Sequence, residues 1–221
     1  MNPVLAGLKT RVKLFIFDMD DTLADTERLT VSLIERYFSE RAGVKLDESD
    51  REFVFGHGWR DIYTQLIGKY RLSLNPDEIQ AAVTDMKRVH VEQNELPRAT
   101  GLDRILAFPV RKALVSGSGT GEIRVVLDHL GIRNRFDPIL SVDDFHHGKP
   151  DPAGFRMALE LAGAMPEEAI VFEDSGSGLM SGRAADIFTV FVREFAWSDR
   201  AELADAAFDT LEAFSEAWAQ A

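Results

Sequence analysis

Five short apolar runs constrain the fold most: Val12–Phe17, Lys112–Val115, Pro138–Val142, Ala169–Phe172 and Ile187–Val192. Short runs of this kind, rich in β-branched and aromatic residues, read as buried strands of a parallel sheet. Helical stretches lie between the later ones. Glu122–Leu130 is closed by Gly131, and Pro152–Ala162 follows Asp151, an N-cap residue before a first-turn proline. Strand and helix in alternation predict an α/β fold, a doubly wound parallel sheet with a Rossmann-like core.

Between the first and second runs the pattern changes. Leu29, Leu33 and Tyr37, then Ile62, Leu66 and Tyr70, then Ile79, Val83 and Met86 recur at helical spacing. Only Phe53–Phe55 has any strand character there. Asn75-Pro76-Asp77 and Leu96-Pro97-Arg98 punctuate the stretch. The expectation is a small α-helical cap domain over residues 24–95, inserted into a core built from residues 1–23 and 96–221. Ala201–Ala221 is alanine-rich with helical spacing and is expected to form a docked terminal helix.

Composition narrows the function. A chain of 221 residues, 45% hydrophobic, has room for one domain or for a core with a modest insertion. Lys and Arg number 25 against 37 Asp and Glu, a net charge of −12. That balance argues against a general nucleic-acid binder or an anionic-membrane binder, both of which need a positive field. A small phosphorylated metabolite stays possible, because a bound cation can reverse the local sign. Without cysteine there is no disulfide, no thiolate zinc site and no cysteine nucleophile. No signal-peptide pattern and no apolar run of about 20 residues is present, so a cytoplasmic protein is expected. A monomer is the expected state.

The polar residues at the strand ends carry the chemistry. Ligands of open parallel sheets bind beyond the carboxyl ends of the strands. The first run delivers Asp18 and Asp20, the second Ser116-Gly117-Ser118-Gly119, and the fourth Glu173-Asp174-Ser175. The third leads a few residues on to Gly148-Lys149-Pro150. On adjacent parallel strands these groups converge. Such a set of carboxylates cannot all stay ionised in a small site without a cation, and hard oxygen ligands suit Mg²⁺. Mg²⁺ and Lys149 would then attract a phosphoryl group. One carboxylate is placed to attack phosphorus, and a second, two residues on, to move the proton.

Phe17-Asp18-Met19-Asp20-Asp21-Thr22-Leu23 resembles the first motif of the haloacid dehalogenase superfamily. Val115-Ser116-Gly117, Gly148-Lys149-Pro150-Asp151-Pro152 and Val171-Phe172-Glu173-Asp174-Ser175 resemble its second, third and fourth. Order and separation fit the capped phosphatase branch, which includes phosphoglycolate phosphatase and β-phosphoglucomutase. The resemblance implies a Mg²⁺-dependent phosphoric monoester hydrolase. Asp18 would be the nucleophile that forms an aspartyl-phosphate, and Asp20 the general acid/base with its backbone carbonyl on the metal. Ser116 and the Gly117 N–H would hold phosphoryl oxygens, and Lys149 would neutralise the phosphoryl group and orient Asp18. Asp174 and Glu173 would hold Mg²⁺ with Asp18, Glu173 either as a ligand or one step behind it. Thr22 would support the first loop.

Three alternatives stay open on the same fold. A phosphomutase shares Glu173-Asp174. The β-phosphoglucomutase histidine ten residues past the acid/base Asp is here Thr30, and its lysine after the second motif's serines is here Gly119. A haloacid dehalogenase proper lacks the counterpart of Asp20. A sugar-phosphate sensor would need no catalysis, yet no catalytic residue is missing. In the expected cap, Gly56-His57-Gly58-Trp59-Arg60 is the most unusual segment, and His57, Trp59 and Arg60 are the specificity candidates. The bland alternative makes Trp59 cap core and Arg60 a surface cation.

Overall fold

The computed structural model describes residues 3–55, 57–94 and 96–221. The chain forms two compact units, one of Met1–Asp25 with Pro97–Ala221 and one of Thr26–Leu96. In chain order the helices are α1 (Pro3–Lys9), α2 (Glu27–Ala42), α3 (Glu48–Val54), α4 (Trp59–Tyr70), α5 (Pro76–Gln93), α6 (Leu102–Ala107), α7 (Thr120–His129), α8 (Ala153–Ala162), α9 (Gly176–Ala184) and α10 (Leu211–Gln220). The strands are β1 (Leu14–Phe17), β2 (Arg111–Val115), β3 (Ile139–Leu140), β4 (Ala169–Glu173), β5 (Phe188–Val192) and β6 (Ala206–Phe208).

The larger unit holds the sheet. Its order is β3-β2-β1-β4-β5-β6, and every pairing is parallel. The chain runs outward from β1 through β2 and β3, then returns to β4 on the other side of β1. β1 and β4 therefore flank the point where strand order reverses, which is where such sheets leave a crevice for ligand. The pairing of Phe17 with Phe172 carries Asp18 and Glu173 to the same sheet edge.

The strands are apolar because both faces are covered. All of β1 is buried. Leu14 and Ile16 point into one layer with Val115, Val171 and Phe155 of α8. Phe15 and Phe17 point the other way and pack with Phe172 at centroid distances of 5.2 and 4.7 Å. Phe214 of α10 closes that layer on Phe172 at 4.8 Å, and Trp218 on Phe15 at 5.4 Å.

The smaller unit is helical. Val31, Leu33, Ile34 and Phe38 of α2, Ile62, Tyr63 and Leu66 of α4, and Ile79 and Val83 of α5 share one core. Phe53 lies in α3 and Phe55 is its C-cap, so the strand character there is overruled by the Asp47–Asp50 capping box that starts a helix. The terminal stretch differs from expectation too. Ala206–Phe208 adds a sixth strand, and only Leu211–Gln220 is α-helical, started by the Thr210 N-cap. The helix expected to begin at Pro152 starts one residue later, with the Asp151 side chain accepting from Ala153 N at 2.9 Å. No helix among the described residues is long and apolar enough to cross a membrane.

Candidate active site

Asp18 follows the last residue of β1, and its N–H donates to Phe172 O at 3.0 Å, which extends the β1–β4 ladder by one bond. Its side chain is nearly enclosed. Asp21 then takes a left-handed backbone, φ 56°, which an aspartate tolerates and which turns the chain back. Two bonds close this turn, Asp21 N to Ala24 O and Leu23 N to Met19 O, each 2.9 Å. Thr22 Oγ1 thereby donates to Asp174 Oδ1 at 2.9 Å, tying the loop after β1 to the end of β4.

Lys149 approaches from the loop after β3. Its Nζ donates to Asp18 Oδ1 and, at 2.5 Å, to Glu173 Oε1. Glu173 has no exposed surface. Its Oε2 accepts from Asp174 N at 3.2 Å, Ser175 N at 3.1 Å and Ser175 Oγ at 2.9 Å. Glu173 thus fastens the ammonium to the backbone that follows β4. Ser175 is also the N-cap of α9, accepting from Gly178 N at 3.1 Å. A Cβ on Gly178 would overlap the Glu173 carboxylate, so this position requires glycine.

Electrostatics follow from burial and from the number of acids. Burial pushes the Asp18 carboxyl well above its usual range. The Lys149 ammonium opposes this, and the Glu173 and Asp20 charges add to it. Burial also works against the charge on Lys149, but the Asp18 and Glu173 carboxylates outweigh it and hold the ammonium above its ordinary range. Asp18, Glu173 and Asp174 each offer a carboxylate oxygen within 4.8 Å of one another. Three acids against one ammonium leave excess negative charge. An all-oxygen donor set of this kind fits a hard divalent cation.

Asp20 points to the end of β2. Ser118 Oγ donates to Asp20 Oδ2 at 2.8 Å, and Ser116 Oγ reaches the same oxygen at 3.3 Å. Ser116 is buried and also accepts from Ser118 N at 3.0 Å. Gly117 is exposed at this turn. Asp18, Asp20, Ser116, Gly117, Lys149, Glu173 and Asp174 therefore all lie at one edge of the sheet. His57, Trp59 and Arg60 belong to the Thr26–Leu96 unit. There the Arg60 guanidinium lies 4.2 Å above the Trp59 ring and pairs with Asp77 at 3.1 Å. His57 instead stacks on Phe53 at 3.9 Å. Gly56 of the same segment falls outside the described residues.

Ser118, Ser175 and Gly178 take parts at the site that the motifs do not specify. An N-cap signal marked Ser175, a Ser just before a helix. Position alone, two residues past Ser116, was the only pointer to Ser118. Gly178 carried none.

Fold and site define a doubly wound α/β protein with several carboxylates and one ammonium gathered at the carboxyl ends of its strands. Residues 15–192 match the haloacid dehalogenase-like hydrolase family, and the chain belongs to it. Among its relatives, the fructose-1-phosphate phosphatase YqaB of Escherichia coli is 28% identical over 180 residues, covering 80% of this chain and 95% of that protein. A β-phosphoglucomutase of Mycobacterium bovis is 30% identical over 220 residues, covering 83% of this chain and 82% of its own. The fold is similar to that of CbbY from Rhodobacter sphaeroides, solved with phosphate. Its TM-score is 0.82 at 22% identity, covering 91% of this chain and 95% of that one.

Proposed function

We propose that this chain is a Mg²⁺-dependent phosphatase that hydrolyses a small phosphorylated metabolite, a sugar phosphate or a phosphoglycolate-like compound, through an aspartyl-phosphate. The observation that carries the reading is Lys149 bridging Asp18 and Glu173 beside Asp174, with Asp20 at the same edge. A carboxylate oxygen of Asp18 attacks phosphorus in line. The bond to the ester oxygen breaks as Asp20 gives that oxygen its proton, and the alcohol leaves. Asp20, now a carboxylate, takes a proton from water. The hydroxide so formed attacks the aspartyl-phosphate, breaks its P–O bond and frees Asp18 and phosphate.

Lys149 offsets charge on the phosphoryl oxygens, and the Ser116 hydroxyl with the Gly117 N–H would hold them. Asp18, Asp174 and the Asp20 backbone carbonyl would hold Mg²⁺, which when bound supplies charge stabilisation to the phosphoryl group. Glu173 engages donors with both oxygens, which favours a role in holding Lys149 over direct ligation. His57, Trp59 and Arg60 are assigned to substrate choice. The support is the paired cation and aromatic face, a combination suited to a polyol phosphate. The reading includes a monomer acting in the cytoplasm. The net charge of −12 supports the absence of nucleic-acid and anionic-membrane partners.

The β-phosphoglucomutase relative favours phosphoryl transfer within a sugar as a second reading. Against it, Thr30 bonds its hydroxyl back to Thr26 O at 2.9 Å, and Gly119 has no side chain to offer a second phosphate. The test is purified protein with Mg²⁺ and a panel of sugar phosphates and phosphoglycolate. Inorganic phosphate should be released from at least one of them. Conversion of a hexose 1-phosphate to its 6-phosphate without phosphate release would replace the phosphatase reading with the mutase.

A further inference from the structure

We infer that Asp143 is a specificity residue: its carboxylate, held on the Asp20 side of the site, selects phosphate monoesters whose leaving alcohol is uncharged, a polyol in preference to an acid. The inference rests on the phosphatase reading and narrows its substrate class. Under that reading Asp20 gives its proton to the ester oxygen, so the alcohol lies on the Asp20 side of the phosphoryl group. Asp20 Oδ2 takes the Ser118 hydroxyl at 2.8 Å, which puts the Ser118–Gly119 turn at the same place. The leaving alcohol therefore meets the residues around this turn.

Asp143 reaches the turn from the loop after β3. Its Oδ2 accepts from Thr120 N and Thr120 Oγ1, both at 3.1 Å, and stands 3.6 Å from where a Cβ on Gly119 would be. Gly119 is the N-cap of α7 and has no side chain to serve the helix start. Asp143 serves it instead, so a helix start that would otherwise attract an anion already holds a carboxylate. The neighbouring Asp144 turns back on its own loop, accepting from Ser141 N and Ser141 Oγ at 2.8 Å each. Asp143 is exposed, and among the described residues no cation pairs with it. Its charge is thus uncompensated and open to a ligand. At an effective dielectric constant of about 40, a substrate carboxylate about 8 Å away loses about fivefold in affinity to this repulsion. A hydroxyl at the same place suffers none.

Two esters isolate this role. Glycerol 3-phosphate and 3-phosphoglycerate have the same chain length and differ at the far end, a hydroxymethyl group against a carboxylate. Each is measured, with Mg²⁺, as a competitor of p-nitrophenyl phosphate turnover, so that binding is read whether or not the ester is itself a good substrate. The parent should bind glycerol 3-phosphate more tightly, and added salt should shrink its preference. Asp143→Asn keeps an oxygen for Thr120. In that variant 3-phosphoglycerate should gain about fivefold in affinity while glycerol 3-phosphate hardly moves. Asp143→Lys should favour the acid. Equal binding of the two esters by the parent, tighter binding of 3-phosphoglycerate, or an unchanged ratio in folded Asp143→Asn overturns the inference and leaves the phosphatase reading intact. A parent that releases no phosphate from p-nitrophenyl phosphate with Mg²⁺ overturns the phosphatase reading, and this inference with it.

Discussion

Lys149 Nζ lies 2.5 Å from Glu173 Oε1, while the other Glu173 oxygen takes three donors from the chain just after β4. The ammonium at the site is thus placed by a side chain that is itself locked to the backbone. Glu173→Ala would leave Lys149 short of one carboxylate and leave buried N–H groups unsatisfied. Breaking a buried pair in this way costs about 3–5 kcal/mol, which for a chain this long lowers the melting temperature by on the order of 10 °C. Gly178→Ala should act in the same direction, because its new methyl group occupies the Glu173 position. Thermal melts of both variants check this. Melting within a degree or two of the parent would remove the structural role of the pair.

Metal should stabilise the fold as well as the reaction. Asp18, Glu173 and Asp174 crowd their oxygens within 4.8 Å with Lys149 bridging the first two, and burial keeps Asp18 reluctant to ionise. Mg²⁺ added to chelator-treated protein should raise the melting temperature. At a concentration about a hundredfold above Kd the gain is about 2.7 kcal/mol. Phosphate release should stop with EDTA and return with excess Mg²⁺. Asp174→Asn should shrink the thermal shift at a given Mg²⁺ concentration. Full activity in EDTA would rule out a metal role.

In the helical unit, the Lys69 ammonium, with Ser49 and the Asp50 N–H, holds the Asp47 carboxyl well below its usual range. An acid whose folded pKa lies below its unfolded one adds stability above the unfolded value of about 3.9, and loses it as pH falls toward the folded one. Lys69→Met should therefore weaken the Thr26–Leu96 unit at neutral pH, and the gap from the parent should narrow below about pH 4. Hydrogen exchange of α3 and α4 amides against pH reads this. A gap independent of pH would assign the effect to packing alone.

Arg60 is exposed, stacked on Trp59 and paired with Asp77. If it contributes to substrate choice, Arg60→Ala should lower kcat/KM for the best sugar phosphate far more than for p-nitrophenyl phosphate. One charged hydrogen bond corresponds to about 1.5–3 kcal/mol, roughly tenfold to a hundredfold. Unchanged values on both substrates would return Arg60 to the role of a surface cation.

Much of this was legible in the sequence because both-faced burial writes itself as apolar runs. Leu14–Phe17 and Ala169–Glu173 are fully buried, and the acids that follow them mark where the sheet meets its crevice. β6 was not legible. Ala206–Phe208 is a half-buried edge of three residues, in an alanine-rich stretch whose composition favours helix. Phe53 and Phe55 are the reverse case: aromatic residues lend some strand character to a segment whose capping box commits it to helix. At the site, the acids and Lys149 announced themselves by type and spacing. Gly178 did not, since its importance lies in the room it leaves for a carboxylate five residues earlier, and only packing reveals that.

The central claim is that Asp18 carries the phosphoryl group. The direct measurement is turnover by Asp18→Asn, nearly isosteric with the parent, in saturating Mg²⁺ on the best sugar phosphate, with circular dichroism to confirm the fold. The account predicts a folded protein whose kcat falls by at least about a thousandfold, as expected when a nucleophile is removed. A folded variant with kcat within tenfold of the parent would contradict it.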